Sequence, residues 1–68
     1  MILKNRLKEL RARDGLNQSE LAKLAGVSRQ SISLLERGNT PSVIIAITIA
    51  QIFKEPVENV FSLVEGEE

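Results

Sequence analysis

Residues 17–38 read NQSELAKLAGVSRQSISLLERG. Within them, Arg29, Gln30, Ser31 and Ser33 fall on the outer side of a short amphipathic segment. Arginine brings a fork of donors, and amide and hydroxyl groups add both donors and acceptors. Such a set recognises a hydrogen-bonding partner; it does not break bonds. The sequence contains no histidine and no cysteine. The commonest general base, the commonest metal ligand and all thiolate chemistry are therefore missing. Serines stand without a histidine to activate them, and carboxylates are scattered singly over different segments. The expectation is a binding protein rather than an enzyme, with no metal and no cofactor.

The elements that position this set follow from capping signals and period. Leu3, Leu7 and Leu10 share one face of a first helix, expected from about Asn5 to Asp14, with Gly15 as its left-handed stop. Asn17 and Glu20 form an asparagine version of the capping box, which starts a second helix that ends at Gly26. Ser28 then caps a third helix, which runs to about Arg37 and stops at Gly38. Two helices are thus joined almost without a loop.

The fourth segment, VIIAITIAQIF at 43–53, gives conflicting signals. Seven of its positions are β-branched, which favours a strand. Its 11 residues are long for a strand in so small a chain, Ser42 offers an N-cap, and Ala46, Ala50 and Phe53 share a helical face. A helix is the expectation. Ala46, Ile49, Ala50 and Phe53 suffice for its buried side, which leaves Ile44, Ile45 and Ile52 as an apolar patch; Val57 and Val60 would extend it. A short fifth helix is expected from about Pro56 to Phe61. The apolar ends MIL and FSLV are suited to pairing as two edge strands. Residues 1–64 form the expected single domain, and 65–68 a mobile acidic tail.

Sixty-eight residues allow one small core, marginal alone, which favours an oligomer. The net charge is zero but unevenly placed: residues 1–37 carry eight Lys/Arg and four Asp/Glu, and residues 38–68 carry one and five. A basic half can meet phosphate while the whole stays near neutral. No basic leader with a long apolar run opens the sequence, and the fourth segment is too short to cross a membrane. A cytoplasmic protein is expected.

Counting from Gln18, Ala22 is fifth, Gly26 ninth and Ile32 fifteenth, with apolar residues at Leu21, Ala25, Val27, Ile32 and Leu35. This spacing resembles the helix-turn-helix of the phage-repressor (Cro/Xre-type) family. The resemblance covers residues 5–61, including LLERGNTPS and the IAQIF and VENVF segments, and is greatest to short stand-alone regulators. It implies an all-α fold of five helices whose motif, about 18–37, binds double-stranded DNA. The third helix would lie in the major groove, with Arg29, Gln30 and Ser33 facing base edges. Gln18 would begin the second helix at a phosphate. Ser31, Asn39 and Thr40, with Arg37 as a weaker candidate, would hold phosphates and fix register. Ser28 and Asn17 are read as caps, and Glu36 with Arg11 as a structural ion pair. Leu34 would either touch a thymine methyl or pack.

The function expected from this resemblance is a sequence-specific transcriptional regulator, a repressor, bound as a homodimer to an inverted-repeat operator. An antitoxin or protein-interaction module of the same fold is the alternative. It is the weaker one, since only a short segment follows the fifth helix. No residues remain for a ligand-sensing domain, so no small-molecule partner is expected.

Overall fold

A computed structural model of the chain describes residues 1–66; Glu67 and Glu68 of the expected acidic tail lie outside the described residues. Five helices are flanked by two short strands: β1 Ile2–Asn5, α1 Leu7–Asp14, α2 Gln18–Ala25, α3 Arg29–Glu36, α4 Val43–Phe53, α5 Val57–Val60 and β2 Phe61–Val64. The strands pair antiparallel, with Ile2 opposite Val64 and Asn5 opposite Phe61. The five-helix architecture and the pairing of the two apolar ends are as expected.

The helix starts follow local chemistry. Asn17 accepts from the Glu20 N–H at 2.7 Å, while the Glu20 carboxylate accepts from the Asn17 N–H at 2.8 Å. Ser28 and Ser42 each accept from the N–H three residues on, at 3.1 Å. Gly26 takes φ +75° between α2 and α3, where a side chain would strain the backbone. α4 is helical throughout, so length and its Ser42 cap prevail over its β-branched composition.

Three boundaries differ from expectation. α1 begins at Leu7, not Asn5, because Asn5 is the last paired residue of β1. Its Oδ1 instead accepts from the Leu7 N–H at 3.1 Å. α3 ends at Glu36 with Arg37 as its cap, and Gly38 follows at φ +112°. Pro56 caps α5 from outside in an extended conformation, and Phe61 already belongs to β2.

The core is one cluster in which Leu7, Leu10, Leu21, Ile32, Ile49, Phe53 and Val60 are fully buried. Each such side chain contributes roughly 1.5–3 kcal/mol by leaving water. Val60 therefore cannot extend an exterior patch, contrary to expectation: a four-residue helix has too little length for its pattern to reveal the inward side. Ile45 and Ile52 are likewise half-buried against the core. The apolar surface of α4 consists instead of Val43, Ile44 and Ile47, which are 74%, 75% and 44% exposed. Among the described residues, no helix is long and apolar enough to cross a membrane.

Polar side chains tie the elements together at the ends. Arg13 on α1 donates to the Phe53 carbonyl at 2.7 Å and to Glu55 at 2.6 Å, closing the C-terminus of α4. The Arg6 N–H donates to the Val60 carbonyl at 2.9 Å and fixes the root of the strand pair.

Candidate nucleic-acid interface

α2 and α3 pack against each other across the turn Gly26-Val27-Ser28. Ala22, 3% exposed, is small enough to let α3 approach, and Ile32 and Leu35 anchor α3 to the core. That anchoring turns the opposite side of α3 outward. Arg29 and Gln30, in its first turn, are exposed; Ser31 and Ser33 are half-buried. Arg37, Asn39 and Thr40, just beyond α3, are exposed.

An open depression lies beside α3, lined by Val27, Ser31, Leu34, Asn39, Thr40 and Ile45. Three of the candidate residues, Ser31, Asn39 and Thr40, are thus brought to one place. Their hydroxyl and amide groups share the depression with the apolar side chains of Val27, Leu34 and Ile45. The Ser31 hydroxyl also lies 3.0 Å from that of Ser28, whose Oγ caps α3. Leu34 is 36% exposed and lines this depression, so it serves the surface more than the core.

A second group forms on the other side of the motif. Arg11 Nε donates to Glu36 Oε2 at 2.6 Å, and Nη2 to Oε1 at 3.2 Å. The same guanidinium donates to the Leu16 carbonyl at 3.1 Å. These side chains are 15% and 7% exposed, so the pair is nearly out of water. Burial pushes the Glu36 carboxyl up, but hydrogen bonds from Arg11 and Gln18, with Lys8 nearby, outweigh it and hold the group below its ordinary 4.5. Gln18 Nε2 donates to Glu36 Oε1 at 3.1 Å, and Arg29 Nη1 donates to Gln18 Oε1 at 3.2 Å. Gln18 and Arg29, placed separately in the sequence, are therefore in direct contact.

One participant escapes sequence reasoning. Asn5 Nδ2 donates to the Leu35 carbonyl at 2.9 Å, near the C-terminus of α3. This bond and the Arg11–Glu36 pair both meet the last turn of α3. The only local signal is an asparagine two residues before the first buried leucine, whose N–H it accepts; the tie to Leu35 spans 30 residues and has no sequence signature.

Comparison with known proteins agrees with this geometry. A helix-turn-helix family model matches residues 7–59. The HTH-type transcriptional regulator YgzD of Bacillus subtilis is 42% identical over 64 residues, covering 93% of this chain and 97% of that one. An HTH-type transcriptional regulator of Archaeoglobus fulgidus is 41% identical over 66 residues, covering 96% and 93%. One of Methanocaldococcus jannaschii is 45% identical over 60 residues, covering 87% and 91%. With its capped helix pair, its five-helix core and relatives of its own length, the chain belongs to the Cro/Xre-type helix-turn-helix family of DNA-binding transcriptional regulators.

Proposed function

We propose that the protein is a sequence-specific repressor that binds an inverted-repeat operator as a homodimer. The observation that carries this reading is the outward side of α3. Arg29 and Gln30 stand exposed in its first turn, while Ser31, Asn39 and Thr40 gather at the adjoining depression. With α3 in the major groove, Arg29 forks onto a guanine, and Gln30 and Ser33 read neighbouring base edges. Ser31, Asn39 and Thr40 hold phosphates, helped by Arg37 and by the N–H groups in the first turn of α2 at Gln18. The action is occupancy of DNA in the cytoplasm, not catalysis. Repression follows where the occupied site overlaps a promoter.

The homodimer is supported by the exposed Val43, Ile44 and Ile47 on α4. They are neighbours at spacings of three and four along the helix, and a contiguous apolar patch of this kind favours an interface. In the proposed two-fold dimer the two copies of α3 sit about 34 Å apart, one turn of DNA. Residues 1–64 act as one DNA-binding unit in this arrangement.

Selection of bound sequences from a random DNA pool tests the proposal. The expected result is an enriched inverted repeat whose half-sites are centred about 10 base pairs apart. Recovery of no preferred sequence would contradict it.

A further inference from the structure

We infer that Asn5 is a positioning residue for DNA binding: its side-chain amide ties the end of α3, and the turn that carries Asn39 and Thr40, to the paired chain ends. This rests on the proposed role of Asn39 and Thr40 as phosphate ligands. Asn5 itself touches no DNA in this arrangement.

The Asn5 amide is engaged at both ends. Its Oδ1 accepts from the Leu7 N–H at 3.1 Å, and its Nδ2 donates to the Leu35 carbonyl at 2.9 Å. The first partner can only donate and the second can only accept, so chemistry fixes which way the amide points. The Asn5 backbone is meanwhile paired with Phe61. One half-buried residue thus joins the strand pair, the start of α1 and the end of α3. The turn beyond α3 hangs from two carbonyls. Leu34 accepts from the Arg37 and Asn39 N–H groups, both at 3.1 Å, and Leu35 accepts from the Gly38 N–H at 3.0 Å. Gly38, at φ +112°, has no side chain to restrict it, so the turn has little stiffness of its own. The second donor on the Leu35 carbonyl comes from Asn5 and steadies the peptide from which the turn departs. Asn39 and Thr40 follow at once and are exposed. A polar group held in place before contact loses less entropy on meeting a phosphate. Phosphate contacts carry no sequence information, so Asn5 bears on affinity and not on which bases are preferred.

The test uses two variants that remove the donor and keep an acceptor for the Leu7 N–H. Asn5→Asp has the same size and sets an acceptor against the Leu35 carbonyl. Asn5→Ser is uncharged; its hydroxyl can still accept from the N–H two residues on but is too short to reach Leu35. The Leu35 carbonyl keeps Gly38 as a donor, so both variants should remain folded, which a cooperative unfolding transition checks. Affinity is measured for a duplex enriched from a random DNA pool and for its scrambled counterpart. Each variant should weaken binding to both duplexes by a similar factor, about fivefold or more. In protein that already carries Asn39→Ala and Thr40→Ala, the same variants should cost less than about twofold, because the groups they position are gone.

Unchanged affinity in both variants would overturn the inference and leave Asn5 a local partner of Leu7. An equal loss with and without Asn39 and Thr40 would also overturn it, since the effect would then bypass the turn, through added charge in Asn5→Asp or a loosened fold in Asn5→Ser. A loss confined to the enriched duplex would move the effect from phosphate contact to base reading and overturn it as well. Wild-type affinity in protein carrying Asn39→Ala and Thr40→Ala is a different result: it removes the phosphate role proposed for the turn, and the inference with it.

Discussion

The helix pair α2–α3 and the helix α4 are neighbours that treat their exposed sides in opposite ways. On the pair, the exposed side chains are mostly polar, Leu24 and Leu34 apart, and two of them are already engaged: Arg29 is held by Gln18, which is held by Glu36. On α4, the exposed residues of the first half are Val43, Ile44 and Ile47, all aliphatic, and Gln51 is the exposed polar residue further along. The two helices of the pair are eight residues each and α4 has 11; all three start from a capping side chain, so the contrast lies in what they expose. The difference shows how so short a chain can offer two surfaces of opposite chemistry. Hydrogen-bonding groups arranged before contact suit a ligand read by its donors and acceptors. Exposed branched aliphatic groups suit a partner that excludes water without demanding fine polar register.

The largest disruption should come from the apolar half. Phe53→Ala removes a fully buried ring at the end of α4 and leaves a cavity. A loss of about 3–5 kcal/mol is expected, enough to unfold much of so small a domain at room temperature. Urea denaturation followed by circular dichroism checks it. A loss below about 1 kcal/mol would mean that α4 is not the support for the motif.

In the polar half, Glu36→Gln should cost less, about 1–2 kcal/mol, because an amide can still accept from Arg11. Its clearer signature is in acid. The Glu36 carboxyl is held below 4.5 in the folded chain, so the unfolded chain takes up its proton first as pH falls. The stability this supplies is complete above the ordinary value and is lost as pH drops through the folded value. Glu36→Gln should therefore flatten part of the fall in melting temperature below about pH 4.5. The remaining slope belongs to Glu9, hydrogen-bonded to Arg6, and to Asp14 and Glu55, hydrogen-bonded to Arg13. An acid limb identical to that of wild type would show that Glu36 is not ionised preferentially by folding.

The smallest effect on folding should follow from Ile44→Glu. This side chain is 75% exposed, so the stability of a single copy should change by no more than about 0.5 kcal/mol. Association is where it should act. Sedimentation at micromolar concentration should change from dimer to monomer of 7.5 kDa, and operator affinity should fall with it. If Ile44→Glu remained dimeric, the apolar side of α4 would have some other purpose.

These regions also differed in how well the sequence disclosed them. Helix starts in the motif were legible because their chemistry is local: Asn17 with Glu20, Ser28 with Ser31 and Ser42 with Ile45 each span three residues. Gly15 and Gly26 marked the ends for the same reason. α4 was legible as a helix, but its outward side was not, since nearly every position is apolar and period alone cannot orient it. Ile45 and Ile52 proved half-buried, and Val43 and Ile47 exposed. The start of α1 was misplaced because it depends on Asn5 pairing with Phe61, 56 residues away. In the candidate interface the residue types were readable, whereas the hydrogen bonds that join them were not. Gln18 meets Glu36 across 18 residues and Arg29 across 11, and such contacts arise only once α2 and α3 are packed.

Base reading by the polar side of α3 makes affinity depend on DNA sequence. The most direct measurement is the dissociation constant for a selected operator and for a scrambled duplex, each over a range of salt concentrations. The operator should bind about a thousandfold or more tighter than the scrambled duplex at physiological salt. Both affinities should fall steeply as salt rises, because phosphate contacts release counterions. Equal affinity for the two duplexes, or affinity insensitive to salt, would contradict it.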